Sequence, residues 1–383
     1  MIALLVSLFL ASLGAGGLGL VRRRALRAEP APPVEGAWLV RPLAGVDPGL
    51  EARLARVPED GARFELIFTV AEALDPAWPV AERAAAALRA RGYRASALVC
   101  PPRGANPKAG QLACLLEQRS PPRYLVSADA DVDLGALALS PLLAPLVLGR
   151  AAASWMAPVE GPAAETWGDQ ISIALLGRSF HAFPLLSAID RAGFVGKLFA
   201  LDLEVAGDLP SALVDTLGED LALALKIEER GLRTTTVLGV APAGICGKTW
   251  SEVIARQRRW ISVIRAQRPL LLLSYPLFFF PRWLAAPLLI GLAQTELLWA
   301  GALALALTMV SVLPGRAVPR IHRGPWWALP LAELTIAIAF AQALSSRRVI
   351  WRGHRYRVAP GGRLESVPPA PKRPARDQDT ATT

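Results

Sequence analysis

An apolar run at 123-RYLVSADADVDL-134 ends in three carboxylates within five residues, Asp129, Asp131 and Asp133. Alternate positions at the end of a strand point the same way, so such acids repel one another unless a cation stands between them. Hard carboxylate oxygens suit Mg2+ or Mn2+, which commonly join one or two carboxylates to substrate phosphates. On that reading Asp129 and Asp131 form a metal–diphosphate site. The competing reading is a solvated loop cap, because Asp is common in turns.

Other residues offer complementary chemistry. In 217-LGEDLALALKIEERGLR-233, Glu219 and Asp220 precede an apolar helical pattern. They are acids favoured by a helix N-terminus, or Asp220 is a general base presented to an acceptor hydroxyl. In 252-EVIARQRRWISVIRAQRP-269, Arg256, Arg259 and Trp260 share one helical face. Such arginines neutralise a leaving diphosphate while an indole stacks on a sugar or acceptor. They equally suit an interfacial helix set among lipid phosphates. Asp75, in 72-EALDP-76, can bond a nucleotide base or cap a turn, and Lys108, in 105-ANPKAGQL-112, can meet phosphate or be a surface lysine.

The elements that must position these residues read as strands and helices in alternation. Strand-length apolar runs occur at 37-AWLV-40, 64-FELIFTV-70, 95-ASALVC-100 and 124-YLVSA-128, with helical stretches at 78–92 and 109–119. This spacing predicts a parallel sheet with crossover helices, and ligands in such sheets bind beyond the strands' carboxyl ends. The acidic cluster lies at one of those ends.

Composition sets the surroundings. The chain has 383 residues, 53% of them hydrophobic, with a formal net charge of +10. Its arginines flank apolar segments and no groove-reading motif is present, which favours a membrane protein over a nucleic-acid binder. Three cysteines without a CxxC pair read as small buried hydrophobes. The apolar start at 1–21 is followed by arginines, the pattern of an N-terminal anchor whose downstream chain is cytoplasmic. A basic, Pro-rich linker follows at 22–36, then an α/β domain over 37–268, two or three membrane helices within 269–345, and a basic tail at 346–383 whose end reads as disordered.

In order along the chain, Asp75, NPK at 106–108, DAD at 129–131, ED at 219–220 and R-x-x-R-W at 256–260 resemble the ceramide glucosyltransferase family. This is the lipid-directed branch of the GT-A glycosyltransferases, which includes hopanoid-associated bacterial members. The stretches 41-RPLAGVDPGLEARL-54 and 350-IWRGHRYRV-358 are similar to two further family segments. The resemblance implies a GT-A, Rossmann-like fold and an inverting, membrane-bound enzyme. It would move a sugar, glucose first, from a UDP-sugar to a ceramide-like lipid. Asp75, Asn106, Lys108, Asp129 and Asp131 would bind the nucleotide-sugar, with Asp129 and Asp131 also holding Mg2+ or Mn2+. Asp220 would be the base, and Arg256, Arg259 and Trp260 would close over diphosphate and acceptor. The region between about 160 and 217 matches the family loosely, so the resemblance fixes neither the sugar nor the lipid. Alternatives are a hopanoid or diacylglycerol acceptor, a processive polysaccharide synthase, and a non-catalytic membrane scaffold.

Overall fold

The computed structural model describes residues 14, 17, 18, 21, 32–101, 103–161, 163–179, 183, 190, 193–207, 209–244, 246–275, 324–351 and 354–367. Most of the expected N-terminal anchor, the 276–323 part of the expected membrane region and the end of the tail lie outside them.

A seven-stranded sheet organises the chain. Its strands are β1 (Ala37–Leu43), β2 (Phe64–Val70), β3 (Arg94–Val99), β4 (Tyr124–Ala128), β5 (Ala153–Glu160), β6 (Leu198–Asp202) and β7 (Thr234–Ala243), in the order β3-β2-β1-β4-β6-β5-β7. Both β1 and β5 are buried at every position, as strands covered on two faces must be. The expected parallel sheet is in fact mixed. β6 runs antiparallel to both β4 and β5, while the other pairings are parallel. That reversal brings the start of β6, not its end, to the edge where the other six strands finish.

Helices α1 (Leu50–Leu54), α2 (Ala77–Ala90), α3 (Pro107–Gln118), α4 (Ser140–Val147), α5 (Trp167–Ser179), α6 (Leu203–Ala206), α7 (Glu219–Glu229), α8 (Trp250–Gln267) and α9 (Ala328–Ser345) complete the described architecture. In α2, Ala77, Val80, Ala81, Ala84, Ala85 and Leu88 are buried, an i, i+3, i+4 stripe made mostly of alanine and leucine, the strongest helix formers. α3 begins with Asn106 as its N-cap, the side chain accepting from Ala109 N at 3.2 Å, and with Pro107 in the first turn. The opening of α8 is a capping box between Thr249 and Glu252.

Two apolar clusters cover the faces of the sheet. A third joins α5, α8 and α9 through Ile171, Ala174, Leu175, Ile261, Ala332, Ile336 and Ala339. Among the described residues, α9 is the one helix long and apolar enough to cross a membrane.

The expected tail is partly a second sheet. β8 (Arg348–Trp351), β9 (His354–Val358) and β10 (Leu364–Ser366) form an antiparallel sheet in the order β10-β9-β8. Leu217 N donates to Gly362 O and Leu364 N to Asp215 O, each at 2.8 Å. These bonds tie the sheet to the segment leading into α7.

Candidate active site

The DAD loop leaves β4 and is shaped from behind by a buried arginine. Arg41, 1% exposed near the end of β1, donates through Nη2 to the carbonyls of Asp129 (3.2 Å), Ala130 (3.0 Å) and Val132 (2.6 Å), and through Nη1 to Arg53 O (3.1 Å). Burial, helped by the neighbouring Arg53, draws Arg41 down to about 10, so it stays charged at neutral pH. A guanidinium fork is suited to gathering several carbonyls at once. With the loop's carbonyls so engaged, its carboxylates are free to bond elsewhere.

Two lysines meet those carboxylates. Lys197 Nζ lies 3.1 Å from Asp129 Oδ2 and 2.9 and 2.7 Å from the two oxygens of Asp131. Lys108 Nζ lies 2.7 Å from Asp129 Oδ1 and 3.2 Å from Glu219 Oε1, and donates to Gly196 O at 2.9 Å. Burial alone would raise Asp129, but the two ammonium groups outweigh it and hold the carboxyl at about 2. For each lysine, burial lowers the pKa and the acids more than compensate, so both ammonium groups titrate above their ordinary value. Asp133, the third acid of the stretch, turns away. It bonds Arg56 and accepts from Gly135 N at 3.0 Å.

The ED pair is joined to this cluster through α3 and Gly196. Asn106 Nδ2 donates to Glu219 Oε2 at 2.9 Å and to Thr216 O at 2.7 Å. Gly196 N donates to Asp220 Oδ2 at 2.8 Å, and Leu221 N to Asp220 Oδ1 at 2.9 Å. A Cβ at position 196 would stand 2.5 Å from Asp220 Cβ, so only glycine allows this approach. Burial and the adjacent Glu219 charge raise the Asp220 carboxyl to about 6, against the pull of Lys108 and the two backbone donors. Asp129, which also feels Lys108, is thus shifted the other way.

Asp75 follows β2 and sits at the N-terminus of α2. Its Oδ1 accepts from Gly45 N and Ala77 N, both at 2.8 Å. This fixes the 44–48 loop after β1 beside the DAD loop, and it is also an ordinary turn cap.

The R-x-x-R-W residues belong to a second, more deeply buried cluster. Arg256 pairs with Glu160 Oε1 at 2.8 Å, bonds Ser172 Oγ, and lies over the Trp260 ring at 5.2 Å. Lys248 Nζ is 3.2 Å from Glu160 Oε2 and 3.5 Å from Asp169 Oδ1. Burial raises Glu160, yet Arg256 and Lys248 outweigh it and the carboxyl ends below its usual range. Trp260 packs against the α5–α8–α9 cluster, and Arg259 is half-buried on the same helix. The two clusters meet through the backbone. Glu160 is in register with Ala243, which bridges to Val132, and Gly244 N donates to Asp131 O at 3.2 Å.

Of the residues singled out from the sequence, Asn106, Lys108, Asp129, Asp131, Glu219 and Asp220 thus form one connected network. Asp75 flanks it, and Arg256 reaches the same sheet edge with Glu160 as its partner. Lys197, Arg41, Glu160 and Lys248 escape the sequence reading. Their only signals are a lysine immediately before an apolar run of strand length, an arginine inside a strand, and an acid at a strand end; Lys248 carries none. Among the described residues no set of three or more His, Cys, Asp or Glu side chains forms a ready metal cage.

The fold is shared with a solved mannosyltransferase. A mannosyltransferase from Pyrobaculum calidifontis, solved in complex with GDP-Man and Mn2+, is 18% identical with a TM-score of 0.53, over 88% of this chain and 98% of that one. A mycobacterial protein, also 18% identical, matches over 60% of this chain and 74% of its own with a TM-score of 0.38. Among curated proteins none matches the chain. The first likeness identifies a GT-A-like α/β architecture. A sequence match from residue 4 to residue 364 is more specific than any likeness of fold, and by it this chain belongs to glycosyl transferase family 21.

Proposed function

We propose that the chain transfers a sugar, glucose first among the candidates, from a UDP-sugar to the hydroxyl of a ceramide-like membrane lipid, with inversion at the anomeric carbon. The observation that carries this reading is the pair of oppositely tuned carboxyls on one network. Asp129 is held at about 2 and Asp220 is raised to about 6. A permanently ionised acid suits cation and phosphate binding, and an acid poised near neutrality suits proton transfer.

In this reading Asp75, Asn106 and Lys108 line the nucleotide-sugar side. Lys108 and Lys197, released from their carboxylates, neutralise the diphosphate. Asp220 accepts the proton of the acceptor hydroxyl as its oxygen bonds the anomeric carbon and the bond to UDP breaks. Arg256, Arg259 and Trp260 border the diphosphate and the acceptor, with Glu160 fixing Arg256. Asp129 and Asp131 already converge on one cation, the Lys197 ammonium, so their oxygens would hold Mg2+ or Mn2+. Such an ion, when bound, would supply charge neutralisation of the departing UDP.

UDP release by detergent-purified protein with Mg2+ or Mn2+, UDP-glucose and ceramide tests the proposal. Ceramide-dependent release supports it. Release only with a hopanoid or diacylglycerol reassigns the acceptor, and a long polymer product reassigns the enzyme to a processive synthase. Silence across donors and acceptors favours a non-catalytic scaffold.

A further inference from the structure

The outer face of the C-terminal sheet has no part in that chemistry. β8 and β9 pair with Arg348 opposite Arg357, Val349 opposite Tyr356 and Ile350 opposite Arg355. Val349, Tyr356 and Val358 are buried against Leu217, Leu221 and Val263. Strand alternation therefore sends Arg348, Ile350, Arg355 and Arg357 to the opposite face, and all four are exposed, Ile350 by 68%. Like charges directly opposite one another on a sheet are destabilising. Glu365, in register with Arg357 and 4.0 Å from it, is the acid on this face among the described residues. The face carries more cations than it can satisfy itself.

Its position says what would satisfy them. The apolar helix α9 ends at Ser345 and the sheet starts at Arg348. Arginines from α8 gather at the same end: Arg265 donates to Ala343 O, and Arg258 Nη2 to Arg348 O at 2.8 Å. Basic side chains beside an apolar helix end, with an exposed isoleucine among them, are the pattern of a surface that rests on lipid headgroups.

We propose that this face docks on anionic phospholipid headgroups, with Arg348, Arg355 and Arg357 pairing with lipid phosphates and Ile350 entering between them. The proposal rests on the reading that the enzyme works at a bilayer, not on the sugar or the reaction. It also has a consequence for the site. The edge of the sheet at 362–364 bonds the backbone of residues 215–217, directly before Glu219 and Asp220. Docking through the outer face sets the α7 N-terminus near the membrane boundary, where the hydroxyl of a lipid acceptor emerges.

The test is hydrogen–deuterium exchange of the 348–358 amides in the full chain, held in nanodiscs of phosphatidylcholine or of phosphatidylcholine with about 30 mol % phosphatidylglycerol. Exchange about tenfold or more slower in the anionic discs is expected. The slowing is expected to be lost when salt rises from about 0.1 to about 0.5 M, and in the R348Q/R355Q/R357Q variant. Equal exchange in both discs, or slowing that survives high salt in the native chain, overturns the proposal even if the triple variant fails to fold. Slowing by an RNA oligonucleotide but not by anionic discs assigns the face to nucleic acid and overturns it too. A chain that stays on neither disc overturns the bilayer reading itself, whereas one that stays on both without lipid-dependent slowing overturns this proposal alone.

Discussion

Asp129 and Asp131 keep 25% and 18% of their side-chain surface exposed, while Glu160 and Asp169, around the corner of the same sheet edge, keep 3% and 2%. Both pairs of acids are matched by two cations, Lys108 and Lys197 for the first, Lys248 and Arg256 for the second. The difference lies in how the rest of each carboxylate is used. Asp169 takes backbone N–H bonds from Glu165, Thr166, Gly247 and Lys248, and Glu160 is bonded by Arg256, Lys248 and Ser172. The donor-side carboxylates rely on the side-chain ammonium groups of Lys108 and Lys197 instead of backbone N–H groups. Partners of that kind can be exchanged for a ligand, whereas a buried and fully bonded pair cannot be opened without a large cost. The first cluster is built for exchange and the second for holding Arg256 still.

Substitutions separate the two roles. Glu160→Gln leaves the half-buried Arg256 and Lys248 with half their partner charge, and about 3–5 kcal/mol of stability is expected to go, read as a lower thermal midpoint. Asp129→Asn is expected to cut turnover by about 100- to 1,000-fold, and also to lower the midpoint at neutral pH, because a carboxyl held below its usual range favours the folded state. If Glu160→Gln melts normally and loses only turnover, the two clusters are one functional unit. Arg41→Lys removes the fork that gathers three loop carbonyls and is expected to cost about 1–3 kcal/mol in chemical denaturation, with weaker UDP binding.

The effect of Asp220 on stability has the opposite sign. Its folded pKa is raised from 3.8 to about 6, so burial of the ionised carboxylate costs stability. That cost is absent at low pH, where the carboxyl is protonated in both states, and grows as pH rises through about 6. Asp220→Asn is therefore expected to stabilise the protein by about 1–3 kcal/mol at pH 8 and to change nothing below pH 4.

Much of this design is legible in the chain itself, and the reasons for the remainder are specific. Apolar runs at 37–40, 64–70 and 124–128 announce β1, β2 and β4, because central parallel strands must be apolar on both faces. The DAD and ED acids are visible as charge placed where strand or helix ends. Lys197 is not visible, since its approach to Asp129 depends on β6 running antiparallel to β4, a pairing set by tertiary structure. Arg41 looks like a break in a strand until the carbonyls of the loop beyond β4 are seen around it. Asp133 shares the spacing of its neighbours, but the chain is by then bonded to β7 at Val132 and Asp133, and the Asp133 carboxylate pairs with Arg56. The C-terminal sheet hides in an arginine-rich stretch whose alternation, with Val349, Tyr356 and Val358 inward, is outweighed in sequence by its charge. The expected N-terminal anchor and the 276–323 part of the membrane region lie largely or wholly outside the described residues.

The claim that Asp220 is the proton acceptor on the open network is tested most directly by single-turnover sugar transfer in the native protein and in Asp220→Asn, beside UDP affinity for each. The native rate is expected to rise about tenfold per pH unit and level off above about 6. The variant is expected to bind UDP within about twofold of the native protein, transfer at least about 100-fold more slowly, and show no such rise. Transfer by Asp220→Asn at close to the native rate, with the same pH profile, would contradict the account.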